Sequence, residues 1–374
     1  MKPVLFSTTH LKECFSNSYH QAQEKFRGRV HDLHDHSRYM EFVYRETGPE
    51  GEKLCTSVAW QGSPDAPRVL VIQSATHGVE GFAGSAIQLD TLSSLSPDSL
   101  PDDVGILHIH AVNPYGFAWL RRVNEQGVDL NRNFIDFSKP LPDNPVYGDL
   151  ASDLLPADSD NWEISTQRLW QYREAVGEQA FEQAVTGGQY QFPKGLFYGG
   201  KEPSQSRRYL EALTRRLNLA SKQKIAVVDI HTGLGPFGYG EVICDHPPDS
   251  TGVQWARQWY GDSVTEPAMG SSSSVPKVGL IDYYWHQVLA DRVCFVTLEF
   301  GTYPMDRLLE TLRQDHFLHT QVPDWGSVQT QKTKAAIKKN FYPGSSDWQE
   351  MVLMRGRQII LQAINGLSAE QGQA

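Results

Sequence analysis

Residues 68–80 read RVLVIQSATHGVE, and this stretch decides the architecture. Its first part, RVLVIQS, is a short run rich in Val and Ile that predicts a buried strand. Three further runs share that character: GILHIHA at 105–111, KIAVVDI at 224–230 and RVCFVTLEF at 292–300. Runs this apolar suit strands covered on both faces. Between and after them, residues 162–185, 204–219, 306–319 and 347–364 carry apolar residues at helical spacing among charges, which predicts four helices. Strands alternating with helices point to an α/β sheet with helices on both sides. The ligand site of such a sheet tends to lie at the carboxyl ends of its strands.

The 374 residues, with 40% hydrophobic and 21% charged, suit one α/β unit with a packed core. We expect a single domain over 1–374, with residues 1–60 as an N-terminal extension packed on it. A net charge of −10 argues against nucleic acid as a partner. No apolar run is long enough to cross a bilayer, and the first residues do not read as a signal peptide. The four cysteines, Cys14, Cys55, Cys244 and Cys294, form no CxxC pair and suit reduced thiols. A cytoplasmic protein without nucleic-acid or membrane partners is therefore expected. Two stretches look irregular. Residues 136–160 are rich in Pro and Asp and predict a long surface loop. Residues 265–277, with GSSSSVP, read as a surface loop or as a flap over a site.

Four elements carry chemistry. His77 and Glu80 follow the first strand at a spacing that sets them side by side, and imidazole and carboxylate are both good zinc ligands. His231 ends the strand 224–230, and Asp229 shares its pleat face and can orient it from behind. Two His and one Glu leave a fourth zinc position open, as catalytic sites do. Residues 121–134, RRVNEQGVDLNRNF, follow NPYG at 113–116 and bring arginines that can polarise a carbonyl or clamp a carboxylate. Glu299 ends the strand 292–300, where a carboxylate needs a partner or a catalytic role; a salt bridge is the alternative.

Taken together, these motifs resemble the zinc carboxypeptidase superfamily, peptidase family M14, and are most similar to its bacterial DUF2817 branch. NPYGF followed by RRVNEQGVDLNRNF is similar to that superfamily's most characteristic stretch. The resemblance runs from about 68 to 299. It implies a mixed, mostly parallel sheet sandwiched between helices, with one zinc ion held by His77, Glu80 and His231. It implies Glu299 as general base and acid and Arg122, rather than Arg121, as the group that polarises the scissile carbonyl. Asn131 and Arg132 would hold a terminal carboxylate. The superfamily also uses a mobile tyrosine over the substrate, for which Tyr283 and Tyr284 are candidates. The function implied is hydrolysis of an amide bond in a small carboxylate-bearing substrate, a peptide C-terminus first. An N-acyl amino acid deacylase of the same superfamily and a non-catalytic zinc-binding module are the alternatives.

A rival metal cluster is offered by His31, His34 and His36, although such clusters are usually solvated. His108 and His110 alternate on one strand face and read as packed, satisfied side chains. The chain has no GxSxG or GxxxxGK[ST], which excludes the commonest serine-hydrolase and P-loop readings.

Overall fold

The four predicted runs are strands, and they lie side by side at the centre of one sheet. The computed structural model describes residues 6–33, 39–321 and 323–369. Its strands are β1 (Tyr39–Thr47), β2 (Lys53–Gln61), β3 (Arg68–Ser74), β4 (Val104–His110), β5 (Lys224–Gly233), β6 (Gly240–Ile243), β7 (Val264–Thr265) and β8 (Val293–Gly301). They run in the order β1-β2-β4-β3-β5-β8-β6-β7. The inner four, β4-β3-β5-β8, are mutually parallel. β2 and β6 flank them antiparallel. The sheet is therefore mixed and mostly parallel, as expected.

Alternation along the central strands decides what covers each face. Leu70, Ile72, Val228 and Ile230 turn toward Ala83, Ala86 and Ile87 of helix Gly81–Ser94 and Val352, Ile359 and Ile360 of helix Ser346–Ser368. Val69, Val71, Ile225 and Val227 turn to the other face, against Leu210 and Leu213 of helix Gln205–Arg216 and Ile281, Trp285 and Leu289 of helix Ile281–Leu289. With both faces covered, all ten residues of β5 are buried, which explains its nearly unbroken apolar run.

Three expectations are corrected. The helix expected over 162–185 is two, Trp162–Val176 and Glu178–Thr186, because Gly177 sits between them at φ 85°, a conformation that favours glycine. The loop expected over 136–160 contains the helix Pro145–Leu154. Asn144 caps it by accepting from the Tyr147 amide at 3.1 Å, and Pro145 fills a first-turn position. The first sixty residues do more than pack on the rest, since β1 and β2 extend the sheet, with Ser57 opposite His110. β2 hides its strand character because its buried polar side chains are satisfied by neighbours. Ser57, for example, accepts from Gln23 Nε2 at 2.5 Å.

The order β4-β3-β5 places a switch point between β3 and β5. The chain leaves β3 toward β4 on one side and later returns to β5 on the other. A crevice opens where such connections diverge. Among the described residues no helix is long and apolar enough to cross a membrane.

Candidate metal centre and active site

His77 and Glu80 come from the turn after β3. His77 caps a single 3₁₀ turn, Gly78–Glu80, which runs straight into helix Gly81–Ser94. Backbone bonds from the arginine-rich stretch hold this turn in place. The Gly78 amide donates to the Arg122 carbonyl at 3.2 Å and the Val79 amide to the Arg121 carbonyl at 2.9 Å. The two segments touch so closely that a Cβ on Gly78 would lie 2.0 Å from the Gly116 carbonyl carbon. The glycines of HGVE and NPYG are thus one contact, which locks the two motifs together.

His231, at the end of β5, faces this turn. Its Nδ1 lies 3.1 Å from His77 Nδ1 and 3.1 Å from Glu80 Oε2, and His77 Nδ1 lies 3.0 Å from Glu80 Oε1. One ligand atom from each of the three residues falls within 4.8 Å of the others, and all three residues are buried. The far nitrogens are also engaged. His77 Nε2 is 3.1 Å from Asp129 Oδ1, and His231 Nε2 is 2.8 Å from Asp229 Oδ2. An imidazole that donates Nε2–H to an aspartate turns its Nδ1 lone pair to the common focus, the arrangement that orients a histidine toward a metal.

The charge balance points the same way. Burial opposes ionisation of Glu80, yet His77 and His231 hold its carboxyl well below the usual range. Burial also opposes a charge on His231, but Asp229 and Glu80 outweigh it and hold the ring well above its ordinary value. The buried Asp129 is likewise held far down, by Arg122 and then His77. Three carboxylates around two imidazoles draw positive charge to the focus, and a cation there meets that demand. Two imidazoles and one carboxylate make the donor set of a catalytic zinc site.

Beside this cluster a cavity of about 910 Å³, counted to its open mouth, is lined by His77, Glu80 and His231 together with Arg122, Asn131, Arg132 and Glu299. Glu299 stands opposite His231 in the β5–β8 register, and its Oε1 accepts from the Leu234 amide at 3.0 Å. Burial, and then the charge of Glu80, push its carboxyl up to about 7. Arg122 donates through Nε to Asp129 Oδ2 at 2.9 Å and lies 3.4 Å from Glu80 Oε1 through Nη1. Its guanidinium rests 5.2 Å from the centre of the Phe197 ring. Arg121 points elsewhere, into a buried ion pair with Asp315 at 3.0 Å.

Asn131 and Arg132 line the same cavity. Asn131 Oδ1 accepts from the Ile281 amide at 2.8 Å. Arg132 donates to the Thr186 carbonyl through Nε at 3.0 Å and Nη2 at 2.7 Å, and to the Asn131 carbonyl through Nη1 at 2.6 Å. Tyr283 and Tyr284 are not on the cavity wall. Tyr283 is exposed and donates to the Lys277 carbonyl at 2.9 Å. Tyr284 packs beside Phe134 and bonds Thr214. Successive helical residues diverge, and here the helix Ile281–Leu289 turns Ile281 and Trp285 to the sheet. His31 is exposed at the end of helix Tyr19–His31, and His34 and His36 lie outside the described residues. His108 and His110 are buried and bonded, to Gln61 and to Gln23 and Ser85.

Asp129 is the side chain at the centre of these contacts that sequence reasoning passed over. It lies inside the quoted arginine-rich stretch, where DLN reads as a polar turn, yet it is fully buried. It joins His77 to Arg122 and also caps the turn Leu130–Arg132 by accepting from the Asn131 amide at 2.9 Å.

Comparison with solved structures finds similarity to carboxypeptidase A from Helicoverpa armigera, at 13% identity and TM-score 0.47, covering 87% of this chain and 74% of that one. The chain is also similar to the murein-tripeptide amidase from Escherichia coli O157, at 18% identity and TM-score 0.40, over 75% of this chain and 91% of that one. A third similar structure is an aspartoacylase family protein from Mesorhizobium loti, at 15% identity and TM-score 0.38, over 79% of this chain and 71% of that one. No curated protein matches the sequence. Residues 15–355 match the profile of the family described as "Protein of unknown function (DUF2817)", and by the extent of that match the chain belongs to this family.

Proposed function

We propose that this protein is a zinc-dependent amidohydrolase of the carboxypeptidase type, cleaving the C-terminal residue from small peptides. The observation that carries the proposal is the convergence of three metal ligands, a buried carboxylate and an arginine on one cavity. His77, Glu80 and His231 would hold the ion. When bound, zinc supplies Lewis-acid polarisation of water and of a carbonyl.

The chain's own side chains do the rest. Glu299 takes a proton from the attacking water and passes it to the leaving amine, a role suited to a carboxyl poised near neutrality. Arg122, fixed by Asp129, presents its remaining N–H groups to the developing oxyanion. Asn131 and Arg132 orient the substrate through its terminal carboxylate. Phe181, Val185, Leu308 and Leu312 line the cavity with apolar surface, which suits an apolar terminal side chain. An N-acyl amino acid presents the same carboxylate to Asn131 and Arg132, so deacylation is the second reading.

The direct test is Glu299→Gln in zinc-loaded protein, assayed on a panel of C-terminal peptides and N-acyl amino acids. Removing a general acid–base should lower kcat about 10²–10⁴-fold while zinc content stays at the wild-type level. Wild-type turnover by the variant would overturn the assignment. Whichever substrate class the wild type turns over decides between the two readings.

A further inference from the structure

The serine run at 271–274 is tied to the site by a buried carboxylate. Glu241, on β6, is the register partner of Glu299. It accepts from Thr265 Oγ1 at 2.5 Å, Ser272 Oγ at 2.9 Å and the Ser273 amide at 3.0 Å, as well as from Ser273 Oγ. On the far side the same loop is stitched to the arginine-rich stretch. The Phe134 amide donates to the Gly279 carbonyl at 3.1 Å and the Val278 amide to the Gly187 carbonyl at 3.1 Å. At Gly279, φ 76°, a Cβ would lie 2.2 Å from the Arg132 carbonyl oxygen. The loop is thus fastened at both ends; between the fastenings it places Ser274 and Lys277 on the cavity wall, and Leu280 joins them just past the second.

Lys277 is a half-buried cation with neutral partners. Its Nζ donates to the Val275 carbonyl at 2.9 Å and to Ser274 Oγ. Arg132, fully buried, likewise spends its bonds on backbone carbonyls. Among the described residues neither has a carboxylate at ion-pairing distance. Burying a charge without a counter-charge is unfavourable. Asp129 is the main opposing charge on Arg132, and Glu182 and Asp245, on the same cavity, act on both cations at longer range, none of the three taking up their donors. Two cations that line one cavity, neither with a carboxylate in contact, leave their charge open to a carboxylate that enters it.

We propose that Lys277 is a substrate-binding residue that completes, with Arg132, a two-cation seat for the carboxylate of the substrate. The inference rests on the hydrolase reading above and adds to it a specificity determinant carried by the serine loop. Burial, then Arg132, push the Lys277 ammonium down to about 8, against the opposing pull of Glu182 and Asp245 and with a further push from Arg122. A lysine shifted downward is charged below that value and neutral above it. The carboxylate preference should therefore hold at neutral pH and fade as the pH rises through about 8.

The test is a calorimetric titration with N-acetyl-Ala-Leu and with its C-terminal amide, in the Glu299→Gln background so that neither probe is consumed. The zinc-loaded parent should bind the free acid more tightly than the amide. Adding Lys277→Met should weaken the acid about 10–100-fold, the range of a lost charge-assisted bond. It should leave the amide and the zinc content unchanged, and Lys277→Arg should restore most of the loss and abolish the fall above pH 8. Equal weakening of acid and amide would reveal a merely structural lysine and overturn the proposal, as would an unchanged affinity for the acid. Binding is read here without turnover. A failure of hydrolysis, or of metal retention in the wild type, would therefore count against the function above and leave this result standing or falling by itself.

Discussion

The two histidines of the centre reach the same focus with different backing. His77 leans on Asp129, which also grips the Nε of Arg122 at 2.9 Å. His231 leans on Asp229, whose other partner is the neutral hydroxyl of Thr76, at 2.9 and 3.1 Å to the two carboxylate oxygens. On the β3 side a single carboxylate links His77 to Arg122, the arginine proposed to bind the oxyanion. On the β5 side the carboxylate lies within the sheet, between Gln73 of β3 and Thr297 of β8, and supports His231 alone. Under the proposed function the same local chemistry would serve two ends: one aspartate would couple metal binding to substrate activation, and the other would set metal affinity.

That difference can be broken from either side. Asp129→Asn should have the largest effect. Losing an orienting carboxylate typically weakens metal about 10–100-fold. Releasing Arg122 should lower kcat by a further factor of about 10² even at saturating zinc. Zinc titration followed by single-turnover assays separates the two losses, and full recovery of kcat with added zinc would dissolve the asymmetry. Asp229→Asn should show the first loss without the second: zinc affinity down about 10–100-fold, with kcat restored once zinc is saturating. A kcat defect that survives saturation would mean that Asp229 also reaches the substrate. Thr76→Val should do least. It removes a hydroxyl donor and should cost about 1–3 kcal/mol of stability in thermal unfolding, with a smaller drop in zinc affinity than Asp229→Asn produces.

Much of this site was legible because its residues end recognisable strands. RVLVIQS, KIAVVDI and RVCFVTLEF announce themselves by unbroken apolar character, and His77, His231 and Glu299 follow from where those runs stop. Asp129 was not legible as a partner, because its burial arises from the folding of residues 121–134 against the HGVE turn. Nothing local marks that contact except two glycines, Gly78 and Gly116, that sit where a side chain would collide. β2 escaped notice because Thr56, Ser57 and Gln61 look solvent-facing, whereas the fold buries all three with partners from distant segments. The serine run had two readings, and only the distant Glu241 distinguishes a tethered wall from a surface loop. Tyr283 and Tyr284 were nominated by proximity in the chain, and helical periodicity takes both off the cavity wall.

The central claim is that His77, Glu80 and His231 hold a catalytic zinc ion. Metal content by mass spectrometry, on protein purified without added metal, tests it most directly for wild type, His77→Ala and His231→Ala. About one zinc per wild-type chain, lost from both variants, is the predicted result. Protein that neither carries zinc nor takes it up, or zinc that survives both substitutions, would contradict the account.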